Sequence, residues 1–338
     1  MALYRRAVWL TISITALHIV DVDWLAFVAL PVDAGTLSTF FDSPVLQPLQ
    51  WLRSVQLLAE LLSPCTALIQ RIAGYLRSNR MFEYIEPLTI GLIPALIVID
   101  WAIRGRKHDS TRFWRVRATL VTVAIFYIAG YTAVFWGTVF GDFHLLDGSG
   151  LGTWAGALAG ILVYELGHYW YHRSAHAFDW LWRAGHQMHH SAESLDAFGA
   201  YYLHPVDAFI FTTIASVVFF PLLGLTVEAG LIGALFLTFN AIFQHMSFRT
   251  PCWLGYIIQR PESHSVHHGK NIHRYNYSDL PLWDLVFGTF RNPQSFQKEH
   301  GFYPGGSERL VEMLAFRDIT SPKRKESAAP AGKLASGT

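Results

Sequence analysis

The stretch ELGHYWYHRSAH (residues 165–176) is followed by HQMHH (186–190) and, much later, by HSVHH (264–268). Between Tyr164 and Tyr277 lie His168, His172, His176, His186, His189, His190, His204, His245, His264, His267, His268 and His273, 12 of the chain's 16 histidines. Residues three or four apart share one helix face. His172 and His176 are therefore expected to point the same way, as are the three histidines of each later box. A lone histidine is most often a packed or hydrogen-bonded residue, but clusters at this spacing point to metal. Neutral imidazoles without thiolates suit iron, copper or zinc. Eight imidazoles in three boxes exceed what one ion can use, so the spacing predicts a site for two metals.

Outward from the first box, residues 152–171 form an apolar run of the roughly 20 residues that a membrane span needs. This run leads straight into the box, and Glu165, His168, His172 and His176 make one stripe of its helix. Further spans are expected at 86–103, with Pro94 as a kink site, at 118–139, and at 205–224 and 228–246, a hairpin turning near Gly224. The hairpin returns His245 to the side of His204, and Pro251 and Pro261 break the chain before the third box. A first candidate span, 8–30, carries His18, Asp21 and Asp23, which are costly in lipid. The pieces 46–63 and 66–79 read as amphipathic helices on the membrane or against the bundle. The basic loop 104–117 places its side in the cytoplasm, and the topology puts every box on that same side. The fold expected is all-α, a multi-span transmembrane bundle with a cytoplasmic histidine-rich cap. Its parts are N-terminal membrane helices (1–140), a catalytic region (141–300) and a polar tail (307–338), disordered beyond 320.

Composition agrees. Residues are 52% hydrophobic and only 15% charged, against about 25% charged in soluble domains. A net charge of +1 gives no footprint for nucleic acid. Cys65 and Cys252 fit neither a metal pattern nor a disulfide framework and read as free apolar fillers. The apolar run from Ala7 to Leu30 is too long for a cleavable signal peptide and reads as a span that stays.

Taken together, ELGHYWYHRSAH, LWRAGHQMHHS, YLHPVD, FQHMSF and RPESHSVHHGKNIHRYNYSDLPLWDLVFGTF resemble the fatty acid hydroxylase/sterol desaturase superfamily over about residues 150–292. The shared pattern is HxxxH, HxxHH and a later HxxHH, followed by WDxxFGT. The resemblance implies a membrane-embedded non-haem di-iron oxygenase that hydroxylates or desaturates a lipid. It implies O₂ as co-substrate, with electrons from a separate carrier such as cytochrome b5 or a ferredoxin and its reductase. Zinc can replace iron in purified material. The resemblance places metal ligands at His172, His176, His186, His189, His190, His264, His267 and His268, adds His245, and offers His204 as a further candidate. Glu165 stands where the family often has Asp, and reads as a residue that orients an imidazole. His168 and His273 read as packed residues rather than ligands. Asn276 and Tyr277 read as shaping the turn after the third box or holding a ligand. Trp170, Trp180 and Trp182 read as interface residues, and Arg173 and Arg183 as snorkelling cations. Asn240 and Gln244 stand within reach of the metal pocket. Two rivals remain: a metal or ion transporter, whose relay residues would lie inside the spans, and a zinc-dependent membrane hydrolase. The boxes lie just beyond the spans, and a hydrolase needs fewer histidines.

Overall fold

The computed structural model describes residues 80–103, 110–272 and 274–322. The expected span 8–30, the amphipathic pieces 46–63 and 66–79, His273, and the tail from residue 323 lie outside them. Among the described residues there is no strand; one isolated bridge joins Gly269 and His300.

Seven helices carry the architecture: α1 (Arg80–Ala102), α2 (Trp114–Phe140), α3 (Gly152–Ala177), α4 (Pro205–Val217), α5 (Val227–Phe243), α6 (Pro261–His267) and α7 (Pro281–Val286). α1 starts six residues before the expected 86 and runs through Pro94. α3 runs through the whole first box, so its apolar part and its metal-facing part are one rigid rod. α4 continues as a π-helical turn over Val218–Leu222, with Pro221 inside it. α3 packs along α5, α5 along α1, α2 along α4, and α4 against α3.

Among the described residues, only α2 and the run Pro205–Leu222 are long and apolar enough on their own to cross a membrane. α5 is apolar but only 17 residues long. α3 is long, but Glu165, His168, His172, Arg173 and His176 make its second half polar. Of the five spans expected in this region, length and composition thus support two. The outer face of α2 still presents Val116, Leu120, Tyr131, Phe135 and Val139, each at least half exposed.

The bundle has two ends. At the end away from the histidines, Ala157, Ile161, Tyr164, Phe219, Phe220, Leu225 and Leu231 form one apolar cluster. The loop after α2 is pinned there by three backbone bonds: Leu145 N–H to the Pro221 carbonyl (2.6 Å), Leu146 to Leu222 (3.0 Å) and Gly148 to Leu223 (2.8 Å).

At the histidine end, buried carboxylates do the tying, each with its acceptor capacity used. Asp100 of α1 accepts from the Ala197 N–H (2.9 Å) and from the N–H and hydroxyl of Ser247 (2.5 and 2.7 Å). Asp196 accepts from the Trp114 indole and the Ser194 hydroxyl. Trp114 in turn packs edge-on against Tyr202 (5.0 Å between ring centres). Arg115 and Arg117 lie at this same end, against Phe198 and the Ser307 hydroxyl.

The polar tail expected from 307 is ordered through 322 and folds back over the second box. Gln187 donates to the Arg317 carbonyl (2.8 Å), and Met313 and Ile319 are fully buried. The short pattern LVEML was too brief to read as a packing helix, yet Leu310–Leu314 is one. Cys252 is exposed, so it is no core filler.

Candidate metal centre

The polypeptide sorts its histidines by helical angle. His172 and His176 are one turn apart on α3 and face the same way. The second box begins in a π-helical turn, Trp182–His186, and ends in one α turn, Gln187–His190. His186 and His190 are four apart and share a side, whereas His189 is offset by about 100° from its neighbour. α6 repeats the device, with His264 and His268 on one side and His267 on the other. The result is two separate groups. His172, His176, His186, His190 and His267 form one; His189, His245, His264 and His268 form the other. In each group one ring nitrogen per residue lies within 4.8 Å of all the others. The expectation that all three histidines of a later box face one way is corrected here. Each HxxHH box serves both groups, because adjacent residues of a helix cannot share a face.

Of the ten candidate ligands, nine are brought together in these groups and His204 is not. The His204 Nδ1 accepts the Val206 N–H (3.1 Å) as the N-cap of α4, and its ring packs on Phe316 (5.1 Å). His168 stacks parallel on His172 (5.5 Å) and sits with Glu165 and Asp279 in a third buried group. Glu165 orients no ligand histidine. Its Oε2 accepts the Asp279 and Leu280 N–H groups (2.8 and 3.3 Å) and so holds the loop after the third box. Burial and, next, the Glu165 charge push the Asp279 carboxyl up to about 7.

The tautomers follow from the outer contacts. The Nδ1 of His172 faces the Tyr277 carbonyl (2.6 Å), that of His186 the Asp207 carboxylate (2.8 Å), that of His245 the Ala241 carbonyl (2.6 Å) and that of His267 the Tyr275 carbonyl (2.9 Å). Carbonyls and carboxylates only accept, so Nδ1 carries the proton and Nε2 is left as a bare donor. Asp207 also accepts from the Tyr171 hydroxyl, and Gly185 must be glycine beside it, since a Cβ there would meet Asp207 Oδ1 at 2.8 Å.

The Nε2 atoms of the two groups converge. They stand 2.8 Å apart for His172–His186, 3.1 Å for His186–His190, 3.0 Å for His190–His267, 3.1 Å for His189–His245 and 3.1 Å for His245–His264. Lone pairs aimed at one another repel unless a cation sits between them. Metal–nitrogen bonds of about 2.1 Å at right angles put neighbouring nitrogens about 3.0 Å apart, whereas a tetrahedron needs about 3.4 Å. Nitrogens 2.8–3.1 Å apart thus fit a shared cation. The His268 Nε2 is fully buried with no hydrogen-bond partner, a cost of about 1–3 kcal/mol that a bound cation would remove.

Burial first, and the neighbouring imidazoles second, push His189, His190, His264 and His268 well below the ordinary histidine range. They are neutral at neutral pH, as ligands must be. The unfolded chain takes up protons as pH falls through about 6.5, while these folded groups do not. In metal-free protein these four groups thus lower stability below about pH 6.5, by on the order of 1 kcal/mol per group per pH unit, offset in part by the raised Asp279 carboxyl, which takes up its proton in the folded state. Chelator-treated protein is expected to melt markedly lower at pH 5.5 than at pH 7.5. A midpoint that holds or rises on acidification would contradict this.

Sequence reasoning treated several wall residues differently. Trp170 and Trp180 are exposed, as interface residues would be, but Trp182 is buried against His176 and His190 (5.2 and 5.3 Å). Arg173 donates to the Tyr169 hydroxyl (2.9 Å), and Arg183 pairs with Asp179. The Asn240 and Gln244 side chains donate to the Asp279 backbone carbonyl and carboxylate (2.7 and 2.8 Å). Asp207 and Asp284 went unread, although the HPVD segment and the WDLVFGT run held them in view. Asp284 accepts from the Tyr277 and Ser278 N–H groups (2.9 Å each), the Ser278 hydroxyl (2.9 Å) and the Thr289 hydroxyl (2.6 Å).

A cavity of about 210 Å³ opens onto this centre. His172, His186, His189, His245 and His264 close one end, and Phe126, Phe211, Leu231, Leu235 and Leu237 are among its apolar walls.

Residues 157–289, which span α3 to the last turn of the Asp284 loop, match the family model described as fatty acid hydroxylase. This match, over residues 157–289, supports a relationship to the fatty acid hydroxylase/sterol desaturase superfamily. The chain is 33% identical to an alkylglycerol monooxygenase of Danio rerio over 188 residues, 53% of this chain and 40% of the relative. It is 29% identical to that of Homo sapiens over 223 residues, 60% of this chain and 46% of the relative. A sphinganine C4-monooxygenase of Arabidopsis thaliana is 28% identical over 142 residues, 41% of this chain and 54% of the relative. The chain thus spans about half the length of these relatives. No solved structure matches.

Replacing Asp207 with alanine is expected to free the His186 ring. Loss of such an outer partner lowers metal affinity or activity by about 10–100-fold. Metal titration of the variant checks this, and unchanged affinity would remove Asp207 from the centre.

Proposed function

We propose that this chain is a membrane-embedded two-iron oxygenase that hydroxylates or desaturates a lipid chain. The observation that carries the reading is the pair of converging imidazole groups at the closed end of an apolar cavity. The first ion would be held by His172, His176, His186, His190 and His267, and the second by His189, His245, His264 and His268. Bound iron supplies the reduction of O₂ and the power to break an unactivated C–H bond. Everything else falls to the polypeptide. The Nδ1 acceptors fix the rings, Trp182 and the folded-back tail cover the centre, and the apolar walls keep water from the reacting carbon.

For hydroxylation the balance is R–H + O₂ + 2 electrons + 2 protons giving R–OH and water. The electrons come from a separate carrier, such as a cytochrome b5 or ferredoxin. The relatives' names, alkylglycerol and sphinganine monooxygenase, support a lipid substrate. The exposed apolar face of α2 and the length of α2 and Pro205–Leu222 support a membrane setting, with further helices crossing alongside. Arg112, Arg115 and Arg117, in the basic segment at the start of α2, support a cytoplasmic histidine end.

The test is purified, iron-loaded protein given ¹⁸O₂, a reducing system and lipid extract. The expected outcome is about two irons per chain and either ¹⁸O in the lipid product or a new double bond. Protein that holds no iron and gives no O₂-dependent product would sink the reading.

A further inference from the structure

We propose that Phe219 is the floor of the cavity and sets the length of the chain it accepts; this rests on the reading above that the cavity holds a lipid tail. The residues of α4 that line the cavity are Ala208, Phe211, Thr212, Ala215 and Ser216. They are one stripe at three- and four-residue spacing, and Phe219 is its next position. α4 starts at His204 and runs away from the histidines, while α3 and α5 run toward them. Tyr164 is the lining residue of α3 farthest from the centre, and Gly160 lies one turn beyond it. Gly233 lies at the corresponding level of α5, between the lining residues Leu231 and Ala234.

The ring is seated between these two glycines. A Cβ on Gly160 would stand 2.4 Å from the Phe219 ring, and one on Gly233 2.3 Å. The two helices thus form a slot that seats the ring one position beyond the α4 residues that line the cavity. Phe219 is 3% exposed and packs in the same cluster as Tyr164 and Leu231.

The depth can be read along α5. From Gly233 to His245 is twelve residues, about 18 Å at 1.5 Å per residue. An extended chain advances about 1.2 Å per bond, so roughly 15 bonds fit between floor and histidines. A volume of about 210 Å³ lies below the 300–1,000 Å³ usual for sites of bulkier ligands. The apolar walls suit one unbranched saturated chain.

The test reads binding, not turnover. Metal-loaded protein in detergent is filled with a fluorescent polyene fatty acid, which is then displaced by a homologous series of saturated primary alcohols. Each methylene that fits is worth about fourfold in affinity, and the gain stops at the floor. Phe219→Ala opens about one helix turn, 5.4 Å, and is expected to move the optimum up by about four carbons. Ala215→Phe raises the floor and is expected to move it down. Phe219→Leu gives a smaller upward shift and serves if Phe219→Ala does not fold. A wild-type optimum left unmoved by all folded variants overturns this inference alone. Wild-type protein that binds no member of the series sinks the lipid reading and this inference with it.

Discussion

Replacing His245 with alanine is expected to halve the iron content and abolish oxidation. His245 belongs to none of the three boxes, yet it completes the four-histidine group with His189, His264 and His268. Its Nε2 stands 3.1 Å from those of both His189 and His264, so it bridges the second and third boxes. Its Nδ1 is held 2.6 Å from the Ala241 carbonyl, one turn back on α5, so the helix itself aims the ring. Without it, three imidazoles remain for the second ion, while the five-histidine group is untouched. Metal analysis should give about one iron per chain instead of two. Activity should fall by well over 100-fold, beyond the 10–100-fold typical of an outer partner. His245→Gln, which keeps the bulk at the end of α5, separates loss of the ligand from loss of packing. Wild-type iron and turnover in both variants would show that the second ion does not depend on His245.

Replacing Asp284 with alanine is expected to have the largest effect on stability. Asp284 is almost fully buried and accepts four hydrogen bonds from Tyr277, Ser278 and Thr289. Alanine would leave the two buried N–H groups of Tyr277 and Ser278 without acceptors, each worth about 1–3 kcal/mol, while the Ser278 hydroxyl keeps the Leu280 carbonyl and the Thr289 hydroxyl keeps Tyr169. A loss of about 3 kcal/mol follows, and with it a fall of roughly 10 °C in the melting midpoint. The effect reaches the metal because the Tyr277 carbonyl, on the same loop, accepts from His172. Iron content should therefore drop together with stability, although Asp284 touches no histidine of either group. Asp284→Asn keeps the shape and some acceptors and should fall between the two. A midpoint within a degree or two of wild type would refute the clamp. The WDLVFGT run reads physically through this residue. Trp283 donates to the Leu162 carbonyl of α3 (3.1 Å), Asp284 gathers the loop, and Thr289 returns to it.

Much of the centre was legible before any coordinates. A three-residue spacer places His172 and His176 on one face whatever surrounds them, because helix pitch is a property of the backbone. The same arithmetic, applied to the adjacent pairs His189–His190 and His267–His268, required the later boxes to split between two sites. That consequence was there to be read, and a shared-face reading missed it. The role of Glu165 was not legible. Its stripe suggested a residue that orients a ligand imidazole, while its carboxylate accepts from backbone N–H groups 114 and 115 residues away and the histidine beside it, His168 (3.7 Å), is in neither metal group. His204 was misleading for a related reason: a histidine before Pro205 can cap a helix with its own ring, and only the placement of α4 shows that it does.

By itself, then, the sequence determined local matters: which stretches are helical and apolar, and which imidazoles lie a turn apart. It determined the kind of chemistry too, since donor type depends on side-chain identity alone. Only the tertiary structure decided the five-and-four grouping, the recruitment of His245, the exclusion of His204, the clamp at Asp284 and the ring of Phe219 between Gly160 and Gly233. Each of these joins residues from separate helices or loops. Their meeting depends on how whole helices pack and cross, a sum of many weak contacts spread over the bundle that no short window of sequence contains.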